Sequence, residues 1–363
     1  MSLRKTAISG IKWSSFSFVS KRALALLTNI VLARLLSPND FGLVAMASVT
    51  LGFIDLFKDL GTGSAVIQRK DVSEGLLSSI FWINAGFGVM VSAGLYILSP
   101  AIGAFYREPD MAPLMQVLSL SFFISALSIV QSCLLTREMA FDRLAKLDLI
   151  TGIFSSSVAI GAAWAGFGVM SLVYQPLLNS VLMLVLLWGT STWHPKWMFH
   201  WGEVREVAGY SLNLAGFNIV NYFARNADNL LIGRYLGAQD LGYYDLAYRL
   251  MLYPLQGISA VVGKVLFPLY SKMQDDHERF RRTYLTAVGA IALLSFPLML
   301  GLMAVSSPFV LVLFGEQWQP VAPLLMIFAP IGAIQSINTT TGSIYQATGR
   351  TDWMLYAGTG FSL

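Results

Sequence analysis

Positively charged side chains occur within long apolar segments of this chain, where a cation is costly. Lys21 and Arg22 lie near the middle of one such segment, and Arg225 lies near the middle of another. A lysine or arginine at the centre of a membrane-spanning helix costs about 2.5–3.5 kcal/mol on the insertion scale. These side chains are therefore expected to face water or a partner. Together these cations predict a cationic cavity, for which Arg249 and Lys58 are weaker candidates.

Acidic residues accompany some of these cations within one helical turn. They are Asp55 and Asp59 beside Lys58, Asp228 beside Arg225, and Asp245 beside Arg249. Side chains three or four residues apart on a helix can pair, so these acids are predicted either to neutralise the cations or to bind a coupling ion. Lys21 and Arg22 have no acid at that spacing, which favours an external anion as their partner. Pro254 is a candidate hinge, because proline removes a hydrogen bond from a helix.

The elements that hold these residues are predicted to be transmembrane helices. Hydrophobic residues make up 55% of the chain and charged residues only 12%, whereas a soluble domain carries about 25% charged residues. Apolar runs of about 20 residues recur, as helices that cross a bilayer require. Stretches such as VLMLVLLW (181–188) do not alternate as the strands of a membrane barrel would. We predict spans at 11–36, 41–66, 76–104, 112–135, 147–167, 169–191, 208–236, 241–270, 284–314 and 321–347.

A sequence signature occurs twice, at an offset of 200 positions. Residues 32–43 (LARLLSPNDFGL) match residues 232–243 (IGRYLGAQDLGY) at an arginine, an aspartate and a glycine. A register kept without gaps indicates a duplicated unit, as in transporters with two similar lobes. The expected fold is an all-α transmembrane bundle with six-helix lobes at 1–200 and 201–363, related by a pseudo-twofold axis along the membrane normal. The second lobe is expected to be truncated, because an eleventh span begins near Trp353 and the chain stops at Leu363, after about half the length that a span requires.

Lysine and arginine residues concentrate in alternate loops, beginning with Arg4 and Lys5, whereas the intervening loops hold only Arg107. The positive-inside rule then places the N-terminus in the cytoplasm. The net charge of +4 is attributed to these loops, so no nucleic-acid partner is expected. Motifs of soluble-enzyme chemistry are missing: there is no Walker A sequence, and the histidines lack metal-ligand spacing to a cysteine or carboxylate cluster. We predict a protein that is not an enzyme and uses no metal or cofactor.

The order of several motifs resembles that of bacterial polysaccharide-repeat-unit flippases. They are NIVLARLLSPNDFGLVAMASV (29–49), DLGTGSAVIQRKD (59–71), LLIGRYLGAQDLGYYDLAYRL (230–250), LFPLYSKMQDD (266–276) and FGEQW (314–318). Such flippases form the polysaccharide-transport branch of the multidrug/oligosaccharidyl-lipid/polysaccharide exporter superfamily, and the motifs are most similar to exporters of colanic acid and similar exopolysaccharides. The resemblance covers the whole chain, although family members have twelve or more helices.

The resemblance implies the cargo and the direction of transport. A polyprenyl-pyrophosphate-linked oligosaccharide would move from the inner to the outer leaflet of the bacterial cytoplasmic (inner) membrane by alternating access. The product would supply exopolysaccharide, capsule or lipopolysaccharide O-antigen synthesis. Lys21, Arg22 and Arg225 would hold the pyrophosphate, and the prenyl tail would stay among the membrane lipids. A monomer is expected, with the polysaccharide polymerase and the export machinery as further partners.

Two other function classes stay open. A drug/cation antiporter of the same superfamily would favour an acidic cavity, in which Asp55 and Asp228 rather than the cations dominate. A membrane-embedded glycan polymerase or glycosyltransferase should carry a large outer loop with a catalytic acid. None of the predicted outer loops exceeds about ten residues, which is typical of plain connections.

Overall fold

A computed structural model of the chain describes residues 3–58, 66, 72–200, 202, 211–271, 273, 276–338 and 340–347. The described residues form helices joined by turns, with no β-strand among them. The chain divides into two compact units, Met1–Gln239 and Asp240–Leu363, and each is described by itself. The lobe boundary near residue 200 and the pseudo-twofold axis stay predictions.

The first unit contains eight described helices. They are α1 (Leu3–Leu35), α2 (Pro38–Lys58), α3 (Glu74–Tyr106), α4 (Met111–Ala126), α5 (Ile129–Arg137), α6 (Phe141–Trp164), α7 (Met170–Thr190) and α8 (Ser211–Tyr235). The next helix, α9 (Ala238–Ser271), begins at the end of this unit and runs into the second. The second unit continues with α10 (His277–Ala304), α11 (Ser306–Leu313), a 3-10 turn (Glu316–Trp318), α12 (Val321–Asn338) and α13 (Thr341–Ala347).

The prediction of a helical, multi-pass membrane protein is confirmed. Within the described part of the chain, seven helices are long and apolar enough to cross a membrane, and a bent pair makes up to eight. Large apolar side chains such as Ile97, Trp164 and Leu293 are exposed on them. In a bilayer these side chains would contact lipid rather than water, so a hydrophobic exterior is the expected arrangement.

Two of the predicted spans that are described throughout, 112–135 and 284–314, are broken rather than continuous. The span predicted at 112–135 divides into α4 and α5, which are bent by 43°. Around the bend the Ser125 hydroxyl donates to the Phe122 carbonyl at 3.1 Å, and the Ser128 N–H bonds to Ser125 at 3.0 Å in a tighter turn. Serine side chains that bond back to the helix backbone favour such bends. The Leu127 carbonyl, at the break, accepts a hydrogen bond from the Trp188 indole N–H at 2.9 Å.

The span predicted at 284–314 also divides, into α10 and α11 on either side of Val305. Pro308 lies in the first turn of α11. Proline has no N–H to continue the hydrogen-bond ladder from α10, and its ring clashes with the preceding turn. A proline is tolerated at the start of a helix, so the chain begins a new helix at this point instead of extending the old one.

The first copy of the repeated signature forms a helix cap. The N–H and the hydroxyl of Ser37 donate to Asp40 Oδ2 at 2.9 and 2.7 Å, and the Asp40 N–H donates to Ser37 Oγ at 3.3 Å. This reciprocal arrangement is a capping box, with Pro38 in the first helical position, where its missing N–H costs nothing. The aspartate of the signature therefore fixes the point at which α2 begins.

The glycine of the signature permits a close approach between two helix ends. A Cβ atom added to Gly42 in α2 would overlap the carbonyl oxygen of Ala238, at the start of α9. Further along α2, a Cβ added to Gly52 would lie 2.6 Å from the Tyr222 hydroxyl of α8. That hydroxyl donates to the Val49 carbonyl at 2.6 Å. Small residues on α2 thus allow α8 and the start of α9 to pack against its backbone.

Candidate functional site

Lys21 has an acidic partner on another helix. Its ammonium group on α1 forms an ion pair with Asp148 on α6, and the two side chains are 46% and 28% exposed. The acids considered from the sequence were those one turn away on the same helix, so Asp148 was not identified. The usable signal was a lone carboxylate within the apolar segment of α6, since intramembrane charges tend to pair.

Both residues of this ion pair line a cavity of about 350 Å³. It lies among α1, α6 and α7, and its polar lining includes Ser156, Gln175 and Asn179 in addition to Lys21 and Asp148. The Gln175 amide donates to the Ser156 hydroxyl at 3.0 Å. A cavity with several hydrogen-bonding groups can hold water. Water there would lower the cost of keeping the Lys21 ammonium group charged between apolar helices.

Arg22, the neighbour of Lys21, is in a different environment. Its guanidinium carbon lies 5.5 Å from the centroid of the Phe18 ring, one turn earlier on α1. The side chain is exposed, and it forms no ion pair with any residue that the structure describes. A cation over an aromatic face gains about 0.5–1 kcal/mol at an exposed site and keeps its donors available. Among the residues that the structure places, no carboxylate therefore competes with an anion for Arg22.

Arg225 on α8 is also exposed. The ion pair with Asp228 that the helical spacing permits is not formed within the described residues. Instead, one oxygen of Asp228 accepts a hydrogen bond from the Asn229 N–H at 2.8 Å. Within the described part of the chain, no carboxylate therefore pairs with Arg225 or with Arg22, although Asp228 lies one turn from Arg225.

Arg249 is paired as its spacing suggested. Its Nε lies 2.7 Å from Asp245 Oδ2, and the Asp245 side chain is 13% exposed. This contact lies within α9 in the second unit. The hinge candidate Pro254 lies further along the same helix, which continues through it. A hinge role for Pro254 stays a prediction.

Asp55 lies on α2 and lines a second cavity of the first unit, of about 490 Å³. Two residues were predicted to accompany Asp55, but the side chain of Lys58 and the whole of Asp59 lie outside the described residues. No cluster of three or more metal-ligating side chains occurs among the residues that the structure places.

Sequence similarity links this chain to known proteins of polysaccharide biosynthesis. A family model described as "Polysaccharide biosynthesis protein" matches residues 31–323. The lipopolysaccharide biosynthesis protein WzxC of Escherichia coli (strain K12) is 31% identical over 97% of this chain and 72% of its own length. The succinoglycan biosynthesis transport protein ExoT of Rhizobium meliloti (strain 1021) is 30% identical over 90% of this chain and 66% of its own length.

A solved structure shares the fold. The lipid II flippase MurJ, in an inward closed conformation, superposes with a TM-score of 0.77 at 18% identity, covering 97% of this chain and 79% of that one. At this identity the likeness concerns the arrangement of helices alone. The family match covers most of the sequence, including both copies of the repeated signature. The chain therefore belongs to the polysaccharide biosynthesis protein family, to which the resemblance of its motifs pointed.

Proposed function

We propose that this protein is a flippase, which moves a polyprenyl-pyrophosphate-linked oligosaccharide repeat unit from the inner to the outer leaflet of the bacterial cytoplasmic membrane. The observation that carries the proposal is the family match over residues 31–323. It is supported by a relative named as a transport protein of polysaccharide synthesis and by the fold of a lipid II flippase. The protein carries a cargo and does no chemistry on it.

The described cations suit the pyrophosphate part of this cargo. An isolated charge in a hydrocarbon environment costs many kcal/mol, so a diphosphate needs a polar path and positive partners. Arg22 and Arg225 keep their donors free of carboxylates in the described structure. Arginine binds phosphate oxygens with two parallel hydrogen bonds, which gives direction as well as charge. We assign the first contacts with the diphosphate to these two residues.

The other predicted cations receive different roles. Lys21 is engaged with Asp148, so it adds to the local positive potential but must leave its partner to bind the cargo directly. Arg249 is held by Asp245 at 2.7 Å, and it therefore ranks below the free arginines. Lys58 remains a candidate on sequence grounds.

Alternating access by two lobes, with Pro254 as a hinge, completes the proposal. In this scheme the N-terminus lies in the cytoplasm, because the positive-inside rule assigns the lysine- and arginine-rich loops to that side. Released repeat units would pass to the polysaccharide polymerase and the export machinery. The protein acts as a monomer in this scheme.

Deletion of the gene in its own host tests the function. Lipid-linked repeat units should accumulate with their glycans facing the cytoplasm, and the surface polysaccharide should be lost. Repeat units that reach the outer leaflet but stay unpolymerised would indicate a polymerase instead. A strain with normal polysaccharide and increased drug sensitivity would indicate the drug/cation antiporter. Either of these outcomes contradicts the proposal.

A further inference from the structure

The broken span of α4 and α5 borders a cavity that has no part in the proposed contacts with the diphosphate. At the bend between α4 and α5, the cavity of about 490 Å³ also reaches α2 and α7. Sites for small organic ligands typically have volumes of about 300–1,000 Å³. In transporters, helices that break within the membrane commonly mark the place where the substrate binds, because the break exposes polar groups.

Both polar and apolar residues line this cavity. The polar lining residues include Asp55, Ser128 and Ser132, and the apolar ones include Met183 and Leu187. A sugar ring has the same division, with hydroxyls around its edge and C–H groups on its faces. The lining therefore matches a carbohydrate in both its polar and its apolar parts.

Ser128 has an unused hydrogen-bonding group at this site. The residue is 7% exposed and occupies the N-cap position of α5, but its hydroxyl makes no capping bond. Among the described residues the Ser128 Oγ has no hydrogen-bond partner. A serine at an N-cap normally bonds to the backbone N–H groups of the first turn. A buried hydroxyl without a partner is unfavourable, and a ligand hydroxyl would satisfy it.

We propose that this cavity is a glycan subsite, in which a sugar of the cargo donates hydrogen bonds to Asp55 and exchanges hydrogen bonds with Ser128 and Ser132. This inference rests on the flippase function proposed above. A carboxylate repels a diphosphate, so the site suits the uncharged part of the lipid-linked oligosaccharide. The cargo would then be held at two chemically different places, with its diphosphate on arginines and a sugar at the bend of α4 and α5.

A bound metal or alkali cation fits this cavity less well. Cation sites enclose the ion with several oxygen ligands at contact distance, whereas the described lining offers one carboxylate in a space much larger than an ion. The apolar lining residues also have no role in binding a cation. A cation is therefore the competing outcome that the experiment must separate from a sugar.

Cys133 provides a probe, because it lines the cavity and is the only cysteine in the chain. The full chain in nanodiscs would be alkylated with a maleimide, and the rate would be measured with increasing oligosaccharide repeat unit released by partial hydrolysis from the host's surface polysaccharide. If the bound glycan covers the thiol, the rate falls by the factor 1 + [L]/Kd, which is about tenfold at a concentration of about ten times Kd. Glycine betaine at equal osmolality controls for solvent effects.

Two variants and a matched control assign the protection to this cavity. Ser128→Ala and Asp55→Asn should each require about tenfold more glycan for the same protection, as the loss of one hydrogen bond predicts. Ser157→Ala should behave like the unchanged protein, because Ser157 is exposed on α6 and its hydroxyl bonds to the Ile153 carbonyl. Equal protection of all variants by the glycan would place the sugar elsewhere and overturn the assignment.

Two further outcomes would also overturn it. Protection by sodium chloride relative to choline chloride, without protection by glycan, would make the cavity a cation site. Protection by neither would leave it without a ligand role. Each failure is distinguishable from failure of the flippase function, because the orientation of lipid-linked repeat units in the deletion strain does not depend on Cys133 alkylation.

Discussion

Lys21 on α1 and Asp148 on α6 form an ion pair that lines a cavity of the first unit. The pair links the helix that carries two of the predicted cations to a helix more than a hundred residues later in the chain. It also separates neighbouring residues by environment, because Lys21 is held by a carboxylate while Arg22 lies over the Phe18 ring. The two adjacent cations are therefore not equivalent.

A double-mutant cycle should reveal this coupling. Asp148→Asn and Lys21→Gln should each lower the thermal stability of the protein in detergent, and the double variant should lose less than the sum. Because both side chains are partly exposed, we expect a coupling energy on the order of 1 kcal/mol or less. The measurement is thermal unfolding of the four proteins. Strictly additive losses would show that the pair does not contribute.

Replacement of the glycine in the first signature copy should disrupt the packing of α2. Gly42→Ala places a methyl group where the Ala238 carbonyl oxygen lies, so folded yield should fall sharply. The matched control is Gly161→Ala on α6, where a Cβ would meet no atom within 4 Å. There the substitution should be neutral or stabilising by roughly 0.5–1 kcal/mol, since alanine favours a helix over glycine. The folded fraction is measured by size-exclusion chromatography, and equal yields of the two variants would refute the close approach.

The contact between α2 and α8 offers a test by second-site rescue. Gly52→Ala would bring a methyl group to 2.6 Å from the Tyr222 hydroxyl and should destabilise the protein. Tyr222→Phe removes that oxygen and loses the hydrogen bond to Val49, at a cost of roughly 0.5–1.5 kcal/mol. The double variant should be more stable than Gly52→Ala alone in thermal unfolding. If adding Tyr222→Phe lowers stability further, the hydroxyl is not the obstacle.

Sequence patterns predicted the helices better than their interruptions and partners. The spans predicted at 147–167 and 169–191 correspond to α6 and α7. They could be predicted because long apolar runs and the glycine-containing turn between them are local features of the sequence. The bend at Ser128 was missed because it depends on serine back-bonding and on the Trp188 indole, which comes from a distant helix. Asp148 was missed as the partner of Lys21 for the same reason. The ion pair of Arg249 with Asp245 was one of the alternatives that the sequence left open, because residues four apart on one helix can pair.

The free arginines should matter for transport rather than for folding. Arg22→Ala and Arg225→Ala should each lower the rate of glycan export by about ten- to hundredfold, if a charge-assisted hydrogen bond of about 1.5–3 kcal/mol is lost. Arg22→Lys should retain part of the activity, because it keeps the charge without the two-pronged geometry. Export is measured as surface polysaccharide per amount of protein in the membrane.

Arg143→Ala serves as the control for these variants, because Arg143 is an exposed cation at the start of α6. Its replacement should leave export unchanged. Normal export by a well-expressed Arg22→Ala variant would remove Arg22 from the mechanism. A loss of export that parallels a loss of protein in the membrane would assign Arg22 to folding instead.

Translocation in a reconstituted system tests the central claim most directly. The purified full chain would be placed in liposomes that contain the host's polyprenyl-pyrophosphate-linked repeat unit, and the fraction of glycan open to an impermeant oxidant would be followed over time. We predict that repeat units initially inside become accessible only when the protein is present, and more slowly with Arg22→Ala. Accessibility that stays at the level of protein-free liposomes, with correctly folded protein, would contradict the account.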